Sequence, residues 1–115
     1  MTHPNFLVSE GGYISDEAPE KIIKLALELG VTDLIAPGNK VPWVEKIRQW
    51  AEEVLGEGNF TISAPGFIKQ KGIISDCAKV AGPRWHTIVG SAIYTKKTIE
   101  EMQKSAMDLA SDISA

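Results

Sequence analysis

The sequence predicts an α/β fold in which three parallel strands alternate with four helices. Short apolar runs, bounded by proline and glycine, alternate with longer segments whose apolar residues recur at spacings of three and four. Strands that are apolar throughout are typical of parallel sheets, which are built from right-handed crossovers. A length of 115 residues with 43 % hydrophobic and 23 % charged residues suits one domain, residues 1–115.

The first helix is expected to start after Ser15 and Asp16, which can cap it, and to end at Gly30. Pro19 falls in its first turn, where a missing N–H costs little. Its apolar residues recur at helical spacing: Ile22, Ala26 and Leu29.

The run VTDLIAP predicts the first strand, a buried one, which Pro37 and Gly38 stop. A second helix follows in PWVEKIRQWAEEVLG. Its inner face is expected to consist of Trp43, Ile47, Trp50 and Val54. Its solvent side is expected to carry Glu45, Lys46, Arg48 and Gln49.

The second half of the chain continues the alternation. FTISAP predicts the second strand, residues 73–81 a short helix, and HTIVG, residues 86–90, the third strand. The last helix begins with a capping box of Thr98 and Glu101. Its apolar face is expected to be Met102, Ala106, Leu109 and Ile113.

The loops after the three strands are the expected binding region, because ligands of α/β proteins bind at the carboxyl ends of the strands. These loops read PGNK, PGFIKQKG and SAIY. A sheet of only three strands leaves two edges unpaired and one face incompletely covered. The chain is therefore expected to be part of a larger structure.

Composition argues against several classes of protein. A net charge of −3 and a pI near 5.3 argue against nucleic acid as a partner, and no apolar run approaches the ~20 residues of a membrane span. The single cysteine, Cys77, has no Cys or His nearby at metal-ligand spacing. We expect a cytoplasmic protein without a metal site.

Four segments, read in order, carry a resemblance to a known family: MTHP, GVTDLIAPGNKVPWVEKIRQ, ISAPGFIKQKG and IVGSAIY. Together they resemble the carboxyl-terminal half of orotidine 5′-phosphate decarboxylase, most closely its short microbial and archaeal forms. This family is a (βα)8 TIM barrel, a lyase that converts orotidine monophosphate to uridine monophosphate in pyrimidine biosynthesis without metal or organic cofactor. The resemblance implies a half-barrel that carries the phosphate-binding loops.

The resemblance also implies binding roles for individual residues. Thr2 matches a hydroxyl that holds the pyrimidine, Gln70 a glutamine that reaches the phosphate, and Gly90 a backbone N–H that faces it. Pro65 and Gly66 match the loop that closes over the base. The substrate-binding residues expected on this basis are Thr2, Pro65, Gly66, Gln70, Gly90 and Ser91.

Two departures from the family pattern affect its chemistry. Ser91 stands where the family has an arginine that clamps the phosphate, and Lys69, Lys71 and Lys96 are the candidates to replace its charge. The family's catalytic Asp-Lys-Asp-Lys constellation, with its Asp-x-Lys-x-x-Asp motif, belongs to the amino-terminal half of the barrel and does not occur here. No catalytic residue is therefore assigned, and the isolated chain is expected to be inactive.

Other interpretations remain open. The chain could be half of another sugar-phosphate barrel lyase, such as a hexulose phosphate synthase or a ketogulonate phosphate decarboxylase. Alternatively, it could be a non-catalytic α/β module that binds a phosphorylated ligand or a protein. If the chain is a half-barrel, the expected partners are the missing amino-terminal half and a second copy in a homodimer.

Overall fold

A parallel sheet of three short strands, in the order β1-β2-β3, forms the centre of the computed structural model, which describes residues 1–114. The strands are β1 (Asp33–Ile35), β2 (Thr61–Ala64) and β3 (Trp85–Thr87). Leu34 pairs with Ile62, and Ala64 pairs with Thr87. The predicted α/β class and the parallel sheet are confirmed.

Five helices accompany the sheet, one more than expected. They are α1 (Ala18–Glu28), α2 (Val41–Leu55), α3 (Ile74–Ala78), α4 (Ser91–Tyr94) and α5 (Ile99–Ser111). The additional helix is the four-residue α4, which directly follows the third strand's loop. Short 3-10 turns at Val8–Glu10, Ile68–Gln70 and Asp112–Ser114 complete the described elements.

The core lies between one face of the sheet and the helices. Leu34, Ile62 and Ala64 point into it and are almost completely buried. The other face is open at Ile35, which is 69 % exposed, and beside β3 at Ile88, which is 47 % exposed, whereas Thr61 of β2 is buried. The expectation of a fully buried first strand is therefore wrong: β1 lies at the sheet edge and buries one face only.

The buried side of α2 differs from the predicted one. The fully buried residues are Val44, Ile47 and Ala51, whereas Val54 is 45 % exposed. The two tryptophans of α2 are half-buried beside this stripe and meet edge to face, with ring centroids 6.3 Å apart. Arg48, expected on the solvent side, instead packs inward and donates from Nε to the Val80 carbonyl at 2.7 Å.

Helix α1 also presents a different face. Ile22 and Leu29 are 64 % and 76 % exposed, while Leu27 enters the core. The residue that caps α1 is Glu17, and it makes no side-chain capping bond. Asp16 accepts a hydrogen bond from the Ser9 N–H instead, so the capping prediction is wrong.

The capping box of α5 is half confirmed. The Thr98 hydroxyl accepts the Glu101 N–H at 3.1 Å, as expected. The Glu101 carboxylate reaches one residue further back, to the Lys97 N–H at 3.0 Å. Among residues 1–114, no helix combines the length and apolar character needed to cross a membrane.

Candidate functional site

The loop after β2, residues 65–72, is a tight structure built on glycine. Gly66 has φ +109°, and its carbonyl accepts the Gly72 N–H at 3.0 Å. Ile68 and Lys71, at the start of the 3-10 turn and just after it, also have positive φ values of +64° and +67°. For a β-branched residue such as Ile68 this conformation is an outlier, and such strain is concentrated at functional sites.

Phe67 anchors this loop to the rest of the molecule. Its side chain is 6 % exposed and packs edge to face on Trp85, with ring centroids 6.5 Å apart. Gly38, in the loop after β1, lies against the Phe67 ring so closely that a Cβ there would collide with it. The Gly38 N–H also donates to the Pro65 carbonyl at 2.7 Å. The first two rim loops are therefore packed together.

Asn39 ties the rim to the start of the chain. Its side-chain amide donates to the Thr2 carbonyl at 2.8 Å. Next to it, Lys40 donates to the His3 carbonyl at 2.8 Å and forms an ion pair of 3.0 Å with Glu10. The Leu7 N–H and then the Lys40 ammonium hold the pKa of Glu10 below its ordinary value. These contacts fix residues 2–10 against the rim.

Gln70 joins the second rim loop to the same segment. Its Nε2 donates to the Thr2 hydroxyl at 3.1 Å. Both residues line a cavity of about 650 Å³ at this junction. The cavity is lined by Thr2, His3, Pro4, Asn39, Lys69, Gln70 and Lys71.

A second cavity, of about 350 Å³, joins the loops after β2 and β3. Gln70 and Lys69 line it as well as the first cavity, and Gly90 and Ser91 form its opposite side. The lining residues are Pro65, Gly66, Phe67, Lys69, Gln70, Ile88, Val89, Gly90 and Ser91. No acceptor among residues 1–114 takes the Gly90 N–H.

The structure thus brings together the six residues that were selected from the sequence. Pro65, Gly66, Gln70, Gly90 and Ser91 surround the second cavity, and Thr2 lies in the first. Gln70 and Gly90 lie at the same end of the sheet, as the parallel topology predicted. Within the described chain, no group of three or more His, Cys, Asp or Glu side chains is arranged to hold a metal ion.

The two cavities differ in charge from the molecule as a whole. The chain has 15 acidic and 12 basic residues, yet no carboxylate lines either cavity. Their polar side chains carry ammonium, amide and hydroxyl groups and, at His3, an imidazole, and backbone N–H groups lie beside them. Such groups stabilise an anion, so the arrangement suits binding of phosphate or carboxylate groups.

Sequence reasoning missed two residues that build the site, Asn39 and Phe67. Asn39 belongs to the loop PGNK, whose position after the first strand placed it on the rim without indicating its partner. Its role depends on a carbonyl 37 residues away. Phe67 is the one aromatic residue of its rim loop, PGFIKQKG, which is a signal for an anchor.

Two archaeal sequences that carry the same name are similar to this chain. A sequence from Methanosarcina mazei named orotidine 5′-phosphate decarboxylase is 34 % identical over all 115 residues. One of the same name from Methanosarcina acetivorans is 35 % identical over all 115 residues. The chain is similar to orotidine 5′-phosphate decarboxylases along its whole length. It spans 46 % and 45 % of these two relatives, respectively.

A solved structure supports the same fold. The crystal structure of orotidine 5′-monophosphate decarboxylase from Methanocaldococcus jannaschii, complexed with the inhibitor BMP, superposes with a TM-score of 0.76. The match covers 98 % of this chain and 46 % of that one, at 22 % identity. This likeness establishes the barrel-fragment fold. No protein-family model matches the chain.

Proposed function

We propose that this chain forms the carboxyl-terminal half of an orotidine 5′-phosphate decarboxylase barrel, a lyase that converts orotidine monophosphate to uridine monophosphate. The supporting observation is that the loops after β2 and β3 face one cavity without carboxylates, with Gln70 and Gly90 both lining it. Residues 1–115 act as one half-barrel unit that carries the phosphate-binding loops. The unit needs no cofactor for this role.

The proposed contacts follow the two adjoining cavities. The phosphate lies in the smaller one, against the Gly90 N–H and the Ser91 hydroxyl. The pyrimidine ring extends toward Thr2 in the larger one, with Pro65 and Gly66 beside it. Gln70 lines both cavities, so its amide can contact the phosphate from one side while it positions the closing loop. Binding the remote phosphate can stabilise closure of this loop.

The proposed partner is the amino-terminal half of the barrel. The chain contains no Asp-x-Lys-x-x-Asp motif to supply the proton and the electrostatics of decarboxylation. The exposed part of the second sheet face, with Ile35 at 69 % exposure, is the surface which that half covers. Alone, the chain binds ligand and does not decarboxylate it.

Without the amino-terminal half, the unpaired sheet edges and exposed apolar residues of the described chain favour a homodimer, which buries them. Sedimentation should detect self-association in the micromolar range, and a monomer throughout that range contradicts it. A cytoplasmic location fits the single cysteine. The proposal includes neither nucleic acid nor a membrane as partner, and the acidic composition argues against the former.

Calorimetric titration of the chain with uridine monophosphate, ribose 5-phosphate and uridine tests the site. We expect uridine monophosphate to bind most tightly and Gln70→Ala to weaken it. Equal affinity for uridine monophosphate and ribose phosphate favours another sugar-phosphate lyase. Binding of none of the three contradicts the proposed site.

Restored turnover tests the reaction. The chain is mixed with the amino-terminal half of the Methanosarcina mazei relative, and the absorbance of orotidine monophosphate is followed. Loss of substrate only in the mixture supports the proposal, and turnover by the chain alone refutes its inactivity. Ligand binding without turnover in a stable mixed complex favours a non-catalytic phosphate-binding module. The presence of Ser91 in place of the family's arginine favours the same alternative.

A further inference from the structure

Only one of the lysines considered as a replacement for the family arginine lines the proposed phosphate cavity. Lys69 lines the cavity that contains Gly90 and Ser91, and it is the one charged residue lining it. Lys71 lines only the neighbouring cavity around Thr2. Lys96 lines a separate groove that also contains Glu101 and Asp108. We propose that Lys69 supplies the cation that recognises the phosphate, an inference that rests on the proposed function.

The charge of Lys69 is not neutralised by a neighbour. The ion pairs among the described residues involve Lys21, Lys24, Lys40, Arg48 and Lys79. Lys69 forms none of them, and no carboxylate lines either cavity that it borders. An incoming phosphate therefore meets an ammonium group without first displacing a carboxylate. A negative charge is favoured here even though the chain as a whole has a net charge of −3.

The backbone of the loop explains how Lys69 is positioned. Residues Ile68–Gln70 form one 3-10 turn, with positive φ at Ile68 and at Lys71. The bond from Gln70 to Thr2 and the anchor at Phe67 fix this turn on both sides. Lys69 and Gln70 are thus held as neighbours on the rim of one cavity. A lysine at this position can act together with the amide that follows it.

The substitution at residue 91 complements this arrangement. A serine side chain leaves the cavity wall open, where the family's arginine would extend a long guanidinium group. The Lys69 side chain approaches from the facing loop with a flexible stem and a single charge centre. The contact changes from a bidentate clamp to a point charge, which predicts weaker and more salt-sensitive binding than an arginine gives.

Titration calorimetry of three variants tests this inference: Lys69→Gln, Lys96→Gln, and Lys69→Gln combined with Ser91→Arg. The ligands are uridine monophosphate, inorganic phosphate and uridine. We expect Lys69→Gln to lower the affinity for uridine monophosphate about tenfold, the usual loss for a charge-assisted hydrogen bond. The same substitution should lower the affinity for inorganic phosphate and leave the affinity for uridine unchanged. Ser91→Arg in the same chain should restore the affinity that Lys69→Gln removes. Lys96→Gln should leave the affinity for each ligand unchanged.

The outcomes separate this inference from the function on which it rests. If the unsubstituted chain binds uridine monophosphate no better than uridine, the phosphate site is wrong and the role of Lys69 with it. If the unsubstituted chain prefers the nucleotide but Lys69→Gln is no weaker than Lys96→Gln, the site stands and only the role of Lys69 is overturned. An equal loss for uridine and uridine monophosphate also overturns it, because a damaged loop would affect both ligands.

Discussion

The side-chain amide of Gln70 donates a hydrogen bond to the hydroxyl of Thr2 at 3.1 Å, across a sequence separation of 68 residues. This contact closes the ring of rim loops, since Asn39 already holds the Thr2 backbone. It leaves the second N–H and the carbonyl oxygen of the Gln70 amide available for a ligand. Three segments that are distant in sequence thereby share one site.

Thr2→Val should remove the acceptor for Gln70 while keeping the shape of the side chain. Because the contact is exposed, the free energy of unfolding should change by less than about 0.5 kcal/mol. Affinity for uridine monophosphate should fall about fivefold, which corresponds to one neutral hydrogen bond. Calorimetry measures the affinity, and the NMR signal of the Gln70 side-chain amide reports the lost contact.

Thr2→Ser is the matched control for Thr2→Val, because it keeps the hydroxyl. It should retain both the amide signal and the affinity. Equal weakening by the serine and valine variants would mean that the threonine methyl group, and not the hydroxyl, matters at this position.

Gly66→Ala should strongly destabilise the rim. Gly66 has φ +109°, and a Cβ there would lie 2.8 Å from Asn39 Oδ1 and 3.1 Å from the Asn39 backbone nitrogen. Backbone strain and the displaced asparagine together should lower the free energy of unfolding by about 2–4 kcal/mol. Urea unfolding followed by circular dichroism measures this loss.

Gly58→Ala separates the two causes. Gly58 has φ +77°, but a Cβ at this position would have no other atom within 4 Å, so only the backbone cost applies. That cost is about 1–2 kcal/mol. If the two alanine variants lose the same stability, close packing against Asn39 contributes nothing.

The order of the elements could be predicted from the sequence because its signals are local. Proline and glycine bound the strands, and the Thr98 hydroxyl caps α5 as its position before the apolar face indicated. The inward faces of α1 and α2 could not be predicted in the same way. Helix α2 carries two adjacent apolar stripes, and in the folded chain Val44 is fully buried whereas Trp43 is only half-buried.

The location of the site followed from topology, whereas its internal contacts did not. Parallel strands place their following loops at one edge, which put Gln70 and Gly90 on the same rim. The bond from Gln70 to Thr2 depends on where the first residues of the chain lie. Nothing local in MTHP specifies that position, so only the folded structure reveals the contact.

Arg48→Met should destabilise the junction between α2 and α3. The Arg48 side chain donates to the Val80 carbonyl at 2.7 Å and to Glu52 at 2.8 Å, and it is only 22 % exposed. Methionine keeps the apolar stem but leaves that carbonyl without its donor. We expect a loss of about 1–2 kcal/mol in the free energy of unfolding.

Gln49→Met is the control for Arg48→Met. Gln49 lies on the same helix but is exposed, whereas Arg48 is partly buried by its contacts with Val80 and Glu52. It should change stability by less than about 0.5 kcal/mol. The loss from Arg48→Met should persist in high salt, since the bond to a neutral carbonyl is screened less than an ion pair. A loss that disappears in salt would assign the effect to Glu52 alone.

Cys77 should make stability fall at alkaline pH. Burial raises the pKa of its thiol from 9.0 to about 11. Above pH 9.0 the unfolded chain releases this proton while the folded chain retains it up to about pH 11. The folded state then binds more protons than the unfolded state, so the free energy of unfolding decreases with rising pH in this window.

Cys77→Ala isolates the contribution of the thiol from that of every other titratable group in the chain. Below the window the variant should be less stable by about 1 kcal/mol, because it leaves a small cavity in the core. As pH rises through the window, the advantage of the unsubstituted chain should shrink, as measured by urea unfolding at each pH. A stability difference that stays constant across the window would mean that the folded thiol ionises as readily as the unfolded one.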